Sequence, residues 1–311
     1  MTASTEKFEE LALYVVATPI GNLHDLSNRA AQVLTMVDLI AAEDTRHTRV
    51  LLAHIGARAR LISAHTHNER ASAETVIQAL ADGKSCALVS DAGTPAISDP
   101  GARLVYAVRQ AGYRIIPVPG ASAAITLLSA AGIDADRFGP AAERFVFGGF
   151  LSTRTHARLD ELRDLHKISA TVVLLESPRR IVALLQAIEQ IFGEERIVVL
   201  GRELSKRFEQ IVSLPVQDLL QWTSQDSNRL RGEFVLAIAP PLRSNEVPSG
   251  DGVDARTPIT VDMNASELMS ILGDALAPAR AARLAARLTG LPKDGFYTLA
   301  VAHSDQGKNN P

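Results

Sequence analysis

The chain has 311 residues, 46% hydrophobic and 22% charged, with a formal net charge of −3. The composition is that of a globular protein with length for about two domains and an appendage, and the negative balance excludes a uniformly basic nucleic-acid coat while leaving a local patch open. The single cysteine, Cys86, excludes an internal disulfide and favours the cytosol, and no apolar run reaches membrane-spanning length.

Residues 1–10 are mixed and charged, without an apolar signal core, and read as a disordered tail. From there, short apolar runs alternate with amphipathic helical patterns: strand 11–17, helix 26–36, strand 38–42, helix 45–55, strand 60–64, helix 72–81. The next apolar run, Cys86 to Val89, places Cys86 as a buried structural thiol. It breaks at Ser90 into a turn, SDAGTPAISDPG, rich in Asp, Gly and Pro, and a helical pattern with Leu104, Val105 and Val108 apolar follows. About twenty residues on the pattern repeats: strand 115–118 breaks at Pro119-Gly120-Ala121-Ser122-Ala123 and enters a helix over 121–131. This βαβ series predicts a largely parallel sheet, and stiff loops beyond two strand ends predict one ligand between them.

The second half differs. Runs at 145–147, 171–175, 197–200, 208–214 and 234–239 read as strands separated by only two or three helices, which predicts a mixed sheet. The join lies around 132–144, where Gly, Pro and Asp cluster. Residues 241–258 are Pro-, Ser-, Gly- and Asp-rich and read as a linker. Helical patterns follow at 264–276, 279–289 and 293–303, with Gly290-Leu291-Pro292 as the tight turn of a helix-turn-helix-like module. The expected organisation is therefore an α/β protein with domains over 11–120 and 121–240, the linker, and a small helical domain over 259–303. Between Pro278 and Lys293 the charges are Arg280, Arg283, Arg287 and Lys293, with no acid. Their spacing puts the arginines on one helix face, either a solvated basic face or a phosphate-contacting one, with the alanine-rich side turned to a core.

Some motifs dissolve on inspection. Gly83-Lys84-Ser85 imitates the end of a phosphate-binding loop, but Gln78 stands where the leading glycine is needed, and the tripeptide follows a helix; Gly83 is a helix C-cap. Gly120 to Ala124 imitates a nucleophile elbow without its closing glycine, leaving Ser122 as a capping or hydrogen-bonding residue. A dinucleotide fingerprint is missing, and His65 and His67 with Glu69 make too thin a ligand set to predict a metal.

Four segments taken together, ATPIGNLHDL (17–26), AAEDTRHTRVLL (41–52), VSDAGTPAISDPG (89–101) and VPGASAAITLLSAAG (118–132), resemble the tetrapyrrole methylase superfamily. Within it they look like the bacterial branch that methylates the ribose 2′-hydroxyl of a cytidine in the decoding region of 16S ribosomal RNA. HTHNE (65–69) points the same way. The resemblance implies two α/β domains with S-adenosylmethionine (AdoMet) in the cleft between them, a cytoplasmic homodimer, and 16S rRNA of the small subunit as partner, without a membrane or a metal. It implies Pro19 and Gly21, Gly93 and Thr94, and Ala121, Ser122 and Ala123 as cofactor loops, with Leu175 and Gly232 as further contacts. The branch's Gly-Phe-Leu-Pro-Lys-like segment appears here as Gly149-Phe150-Leu151-Ser152-Thr153-Arg154, with Ser152 in place of proline.

A ribose hydroxyl is a weak acid, and Glu43, Asp44 and Asp91 sit at strand ends facing one crevice, as general-base candidates. Helix capping for Glu43 and Asp44, and loop bracing for Asp91, are the structural readings beside that one. Arg46, Arg179 and Arg180 either pair locally or hold RNA phosphate, and Arg202 and Glu203 read as a surface pair. Other functions on the same residues are methylation of a tetrapyrrole or other small substrate, and a non-catalytic RNA-binding assembly factor.

Overall fold

The structure, a computed structural model, describes residues 11–242, 264–289 and 292–306. The expected N-terminal tail, most of the 241–258 linker and the Gly290-Leu291 turn lie outside them. The chain divides into two compact units, residues 1–244 and 245–311.

The first unit opens with ten alternating elements. They are β1 (Ala12–Val16), α1 (Asn28–Met36), β2 (Leu39–Ala42), α2 (Thr45–Ile55), β3 (Arg60–Ser63), α3 (Glu69–Ala81), β4 (Cys86–Val89), α4 (Ala102–Gln110), β5 (Arg114–Val118) and α5 (Ala123–Ala130). The strands form one parallel sheet in the order β3-β2-β4-β1-β5. Their continuous apolar runs follow from burial on both faces. Ala12, Tyr14 and Val16 pack with Val33, Leu34, Leu51 and Leu52 of α1 and α2. Leu13, Cys86 and Leu88 pack on the opposite face with Val76, Leu80, Leu104 and Val108 of α3 and α4. Burial drives the Cys86 thiol up to about 12, so it is an inert core group. The strand order reverses between β1 and β4, which brings the loops after both strands side by side, the place where open α/β sheets form a crevice.

Local chemistry adjusts the element ends. The Ser27 hydroxyl accepts from Ala30 N–H at 3.1 Å, so α1 starts at Asn28 and not at 26. Residues 23–25 form a separate 3-10 turn capped by Asn22. Gly83, with φ +78°, follows α3 as its C-terminal stop, and its N–H donates to Leu80 O.

The second sheet collects β6 (Phe145–Phe150), β7 (Thr171–Glu176), β8 (Ile197–Arg202), β9 (Gln210–Pro215) and β10 (Phe234–Ile238) in the order β6-β7-β10-β8-β9. Only β6 and β7 run parallel; the other pairs are antiparallel, so the sheet is mixed. The short α6 (Ala135–Phe138) precedes it, and α7 (Thr155–His166), α8 (Ile181–Phe192) and α9 (Val216–Ser224) cover one face around Leu162, Leu184 and Leu219. The other face is covered differently. Val173, Val199, Val235 and Ala237 pack against Ala124, Leu127 and Ala131 of the α5 region and against Ile20, which follows β1. Burying Leu127 completely contributes roughly 1.5–3 kcal/mol to joining the halves.

Arg202 and Glu203 do not pair at the surface. Arg202 is buried, donating to Arg231 O at 2.6 Å, Asn228 O at 2.7 Å and Gln210 Oε1 at 3.0 Å, because its position on β8 turns it under the 228–231 turn. Glu203 turns instead to Lys206, at 2.9 Å.

The second unit holds α10 (Ala265–Ala275), α11 (Pro278–Thr289) and α12 (Lys293–Gln306). Asn264 and Glu267 form a reciprocal capping box at the start of α10. Its core is Met269, Ala281, Ala282, Ala285, Phe296 and Ala300, and Arg280, Arg283, Arg287 and Lys293 are exposed. The alanine side of α11 faces inward and the arginine side outward. No described helix is long and apolar enough to cross a membrane.

Candidate functional site

Three loops leave the parallel sheet at neighbouring strand ends and are stitched together by backbone and hydroxyl hydrogen bonds. Thr18 N–H donates to Gly93 O at 2.9 Å and Gly93 N–H returns to Thr18 O at 3.0 Å. The Thr18 hydroxyl donates to Ser90 O at 3.1 Å, and the Thr94 hydroxyl to Ala121 O at 3.1 Å. Glu69, buried at the start of α3, accepts Gly101 N–H at 2.5 Å and so anchors the far end of the long loop. Gly93 has φ +78°, a conformation that admits glycine readily and other residues only with strain. Ala96, at φ +65°, carries such strain within the same loop.

Against these loops the second sheet presents the ends of β6, β7 and β10, and a pocket of about 440 Å³ lies between. Gly93 and Thr94, Ser122 and Ala123, and Leu175 line it, five of the nine expected cofactor positions. Ala121 stands behind, its carbonyl taken by Thr94. α5 starts at Ala123 rather than 121, so Ala121 and Ser122 remain loop. Ser122 occupies the N-cap position yet makes no capping bond with its side chain. Phe150, Glu176, Ser177 and Val235 supply the opposite wall. The Glu176 side chain is fully shielded from solvent and pairs with Arg180 at 3.1 Å. Its Oε1 accepts from Ser177 N–H at 2.7 Å, and its Oε2 is the oxygen that faces the Arg180 guanidinium.

Pro19 and Gly21 line a second pocket, also about 440 Å³, which adjoins the first through Ile20, Ala92 and Glu233. Gly232 lines neither pocket: at φ +94° it lies against the Glu203 side chain. Asp91, His47 and Lys206 belong to the second pocket.

The three acids do different things. Asp44 caps α2, accepting Arg46 N–H at 2.8 Å, and its carboxylate is gripped by the Arg46 guanidinium at 2.5–3.1 Å. Those bonds hold the Asp44 carboxyl well below the usual range. Asp91 accepts Asp44 N–H at 3.0 Å on Oδ1, and its Oδ2 lies 3.3 Å from His47 Nδ1. Glu43 accepts Asp91 N–H at 3.3 Å. Burial raises the Glu43 carboxyl, the Asp91 N–H bond offsets part of this, and the neighbouring charges of Asp99, Asp91 and Asp44 add to the rise. Asp99 is raised too, first by burial and then by Asp91, against a bond from Ser90. Asp44, His47 and Asp91 offer ligand atoms within 4.8 Å of one another, but a divalent ion there would have to compete with Arg46 for Asp44. Arg46 is exposed and held by Asp44, Arg179 is exposed, and Arg180 turns inward to Glu176 and to Leu151 O at 2.6 Å. Ser152 works as a short brace, its N–H on Glu161 at 2.9 Å and its hydroxyl accepting Arg154 N–H at 3.3 Å.

The raised Glu43 carboxyl makes a stability prediction. A carboxyl raised on folding supports the fold when protonated, and that support is lost as pH rises through the folded-state value. Glu43→Gln should therefore unfold at higher denaturant than wild type near neutrality, and the gain should vanish in acid below the ordinary carboxylate range. Equal midpoints at both pH values would remove the strain from this site.

Sequence reasoning passed over His47, Lys206, Glu233 and Glu176. For His47 a signal existed: it stands three residues after Asp44, on the same face of the first turn of α2.

The model of the "Tetrapyrrole (Corrin/Porphyrin) Methylases" family matches residues 12–220. Among curated relatives, "Ribosomal RNA small subunit methyltransferase I" of Escherichia coli O157:H7 is 44% identical over 289 residues, covering 93% of this chain and 94% of the relative. The protein of the same name from Pseudomonas aeruginosa is 42% identical over 297 residues, covering 96% and 98%. Among solved structures, uroporphyrin-III-C-methyltransferase from Thermus thermophilus aligns with a TM-score of 0.54 at 21% identity, over 74% of this chain and 94% of that one. Diphthine synthase aligns with a TM-score of 0.57 at 14% identity, over 75% and 91%. At these identities the structural likeness speaks for the fold alone.

Proposed function

The chain belongs to the tetrapyrrole methylase family, in its ribosomal RNA small subunit methyltransferase I branch, and from that premise we propose that the first pocket receives AdoMet and that the methyl goes to a cytidine ribose of 16S rRNA. The chain is an AdoMet-dependent methyltransferase acting on small-subunit ribosomal RNA. The observation that carries the site assignment is the first pocket itself, closed by Gly93-Thr94 and Ser122-Ala123 over an apolar floor of Ile20, Leu175 and Val235.

The residues fit the cofactor. AdoMet joins a flat apolar base to polar and cationic groups, and supplies a methyl group already activated by its sulfonium. Loops without large side chains let backbone groups approach the ligand closely. The Ser122 hydroxyl is not spent on its own helix, and the Glu176 carboxylate, neutralised by Arg180, is a polar point on an otherwise apolar wall. The chain's own work is then to position the reactants and take up a proton. Ala121 shapes its loop from behind, and Gly232 sets the path of the chain into Glu233. Pro19 and Gly21 belong with the acceptor side. We further assign the domains to 11–120 and 121–240 with a helical domain over 259–303, and a cytoplasmic homodimer as the working form. Arg46 and Arg179 are both exposed, and we assign them to RNA phosphate.

Mass mapping of 16S rRNA from cells with and without the protein tests the reading. Loss of one ribose methyl on a decoding-region cytidine is expected. An unchanged map, or loss of a base methyl instead, would overturn it.

The exposed face of Arg280, Arg283, Arg287 and Lys293 favours RNA over a small tetrapyrrole. Each phosphate contact adds roughly 0.7–0.9 to the slope of log affinity against log salt. Replacing the three arginines with Ala should weaken subunit binding and flatten the slope by about 2–3 if each touches one phosphate, with AdoMet affinity unchanged. Identical slopes would leave these arginines as a solvated face.

A further inference from the structure

We propose that the second pocket admits the acceptor nucleotide and that His47, oriented by Asp91, takes the proton from its ribose 2′-hydroxyl. This rests on the reading of the first pocket as the AdoMet site and goes beyond it by assigning the acceptor chamber and the base.

The place comes first. The two pockets share Ile20, Ala92 and Glu233, so a group seated in the second lies next to whatever fills the first. The second pocket is lined by the aliphatic Leu23, Val50 and Leu51 and by the polar His47, Asp91 and Lys206, with His47, Val50 and Leu51 on one face of α2. That mixed lining suits a nucleotide turned out of an RNA strand, with aliphatic side chains for its base and polar ones for its sugar.

Elimination then points to one residue. Asp44 is occupied by Arg46, and Glu43 is turned to Asp91 N–H. Lys206 is held between Glu203 at 2.9 Å and Glu233 at 2.8 Å, so its charge is answered on both sides. Asp91 accepts Asp44 N–H on Oδ1, and its Oδ2 lies beside His47. His47 differs: Nδ1 lies 3.3 Å from Asp91 Oδ2, while its side chain is 71% exposed and lines the pocket, which keeps the ring accessible to a ligand there. A carboxylate beside Nδ1 favours the tautomer with Nε2 as acceptor and stabilises the imidazolium that forms.

The step balances. The 2′-oxygen forms a bond to the methyl carbon as the carbon–sulfur bond breaks, with that electron pair staying on sulfur. The hydroxyl proton passes to His47 Nε2 and afterwards to solvent. Asp91 is a positioning residue here, fixed from two sides by the backbone of Asp44 and the carboxylate of Glu43.

The test uses the full-length protein and small subunits isolated from cells that lack it. His47→Gln should slow single-turnover methylation by about 10²–10⁴-fold, with AdoMet affinity by calorimetry within about twofold of wild type. Wild type should show an acidic limb in its rate profile that His47→Gln loses. The other groups facing His47 are Asp91, Asp44 and Arg46 on its own side and Lys206 and Glu233 across the pocket, and these remain in the variant. In the unliganded protein, nitrogen-15 NMR should find His47 protonated on Nδ1, and Asp91→Asn should shift it toward the other tautomer and slow the reaction. A wild-type rate and profile in His47→Gln would overturn the proposal, as would a tautomer indifferent to Asp91→Asn. Failure of the underlying reading looks different: wild type itself would then bind no AdoMet or leave the 16S ribose unmethylated.

Discussion

Gly93→Val should leave a folded protein that no longer takes up AdoMet, with affinity lowered by about 100-fold or more, equivalent to about 2.7 kcal/mol. A Cβ built at Gly93 would meet Ile20 Cγ2 at 3.5 Å and Ala121 O at 3.7 Å, which are ordinary contacts. The protein therefore tolerates the added carbon, and Gly93→Ala should fold with a penalty of about 1–2 kcal/mol for its left-handed backbone. A branched side chain reaches further, and it would do so from a position that lines the pocket. Calorimetry on wild type, Gly93→Ala and Gly93→Val, each checked by thermal midpoint, should show a graded loss of AdoMet binding. Wild-type affinity in a folded Gly93→Val protein would take this loop out of the cofactor site.

The second large effect is on stability. Arg180→Ala should destabilise the first unit by about 3 kcal/mol, because it leaves the fully shielded Glu176 carboxylate without its cation. Against a typical total of about 5–15 kcal/mol that is a large share. Ser177 keeps its bonds to Glu176 Oε1, which places the loss at the lower end for a broken buried pair. The same change frees Leu151 O and Ser152 O, to which the guanidinium donates at 2.6 and 3.2 Å. The segment beside Phe150 should then show faster hydrogen exchange than the rest of the wall. Replacing Glu176 and Arg180 together with Leu and Met should cost less than Arg180→Ala alone, since no charge is stranded. Urea midpoints read all three. If Arg180→Ala unfolds where wild type does, the pair is incidental to the fold.

The parallel half of the fold was plain in the residues because each strand there is an unbroken apolar run between amphipathic helices, as burial on both faces demands. The mixed sheet was legible only in kind. β6 was read short because Gly148 and Gly149 interrupt its apolar run. In the structure the strand continues to Phe150 through a register shift between Phe147 and Gly149, with Gly149 at φ +62°. Arg202 was misjudged because a charged residue at a strand end usually finds water, and here it finds a ring of backbone carbonyls. The glycine- and alanine-rich loops showed themselves by composition. Which side of the crevice each one faces depends on strand order, so the separation of Pro19 and Gly21 from Gly93 and Ser122 could not be read from spacing. Nor could the meeting of His47 with Asp91, which requires β2 and β4 to be neighbours.

Ile20 and Ala92 face both pockets, and Ile20 also packs against the second sheet. Nearby, Lys206 lies over Gly21, and Ser205, in the left-handed region at φ +67°, reaches Asp25 with its hydroxyl. The wall shared by the pockets is thus fastened to both sheets. Occupancy on one side of such a wall and occupancy on the other form a thermodynamic cycle. By whatever factor RNA changes the affinity for AdoMet, AdoMet changes the affinity for RNA by the same factor. Product release obeys the same reciprocity: the coupling measured for S-adenosylhomocysteine also fixes how far its departure alters the hold on methylated RNA.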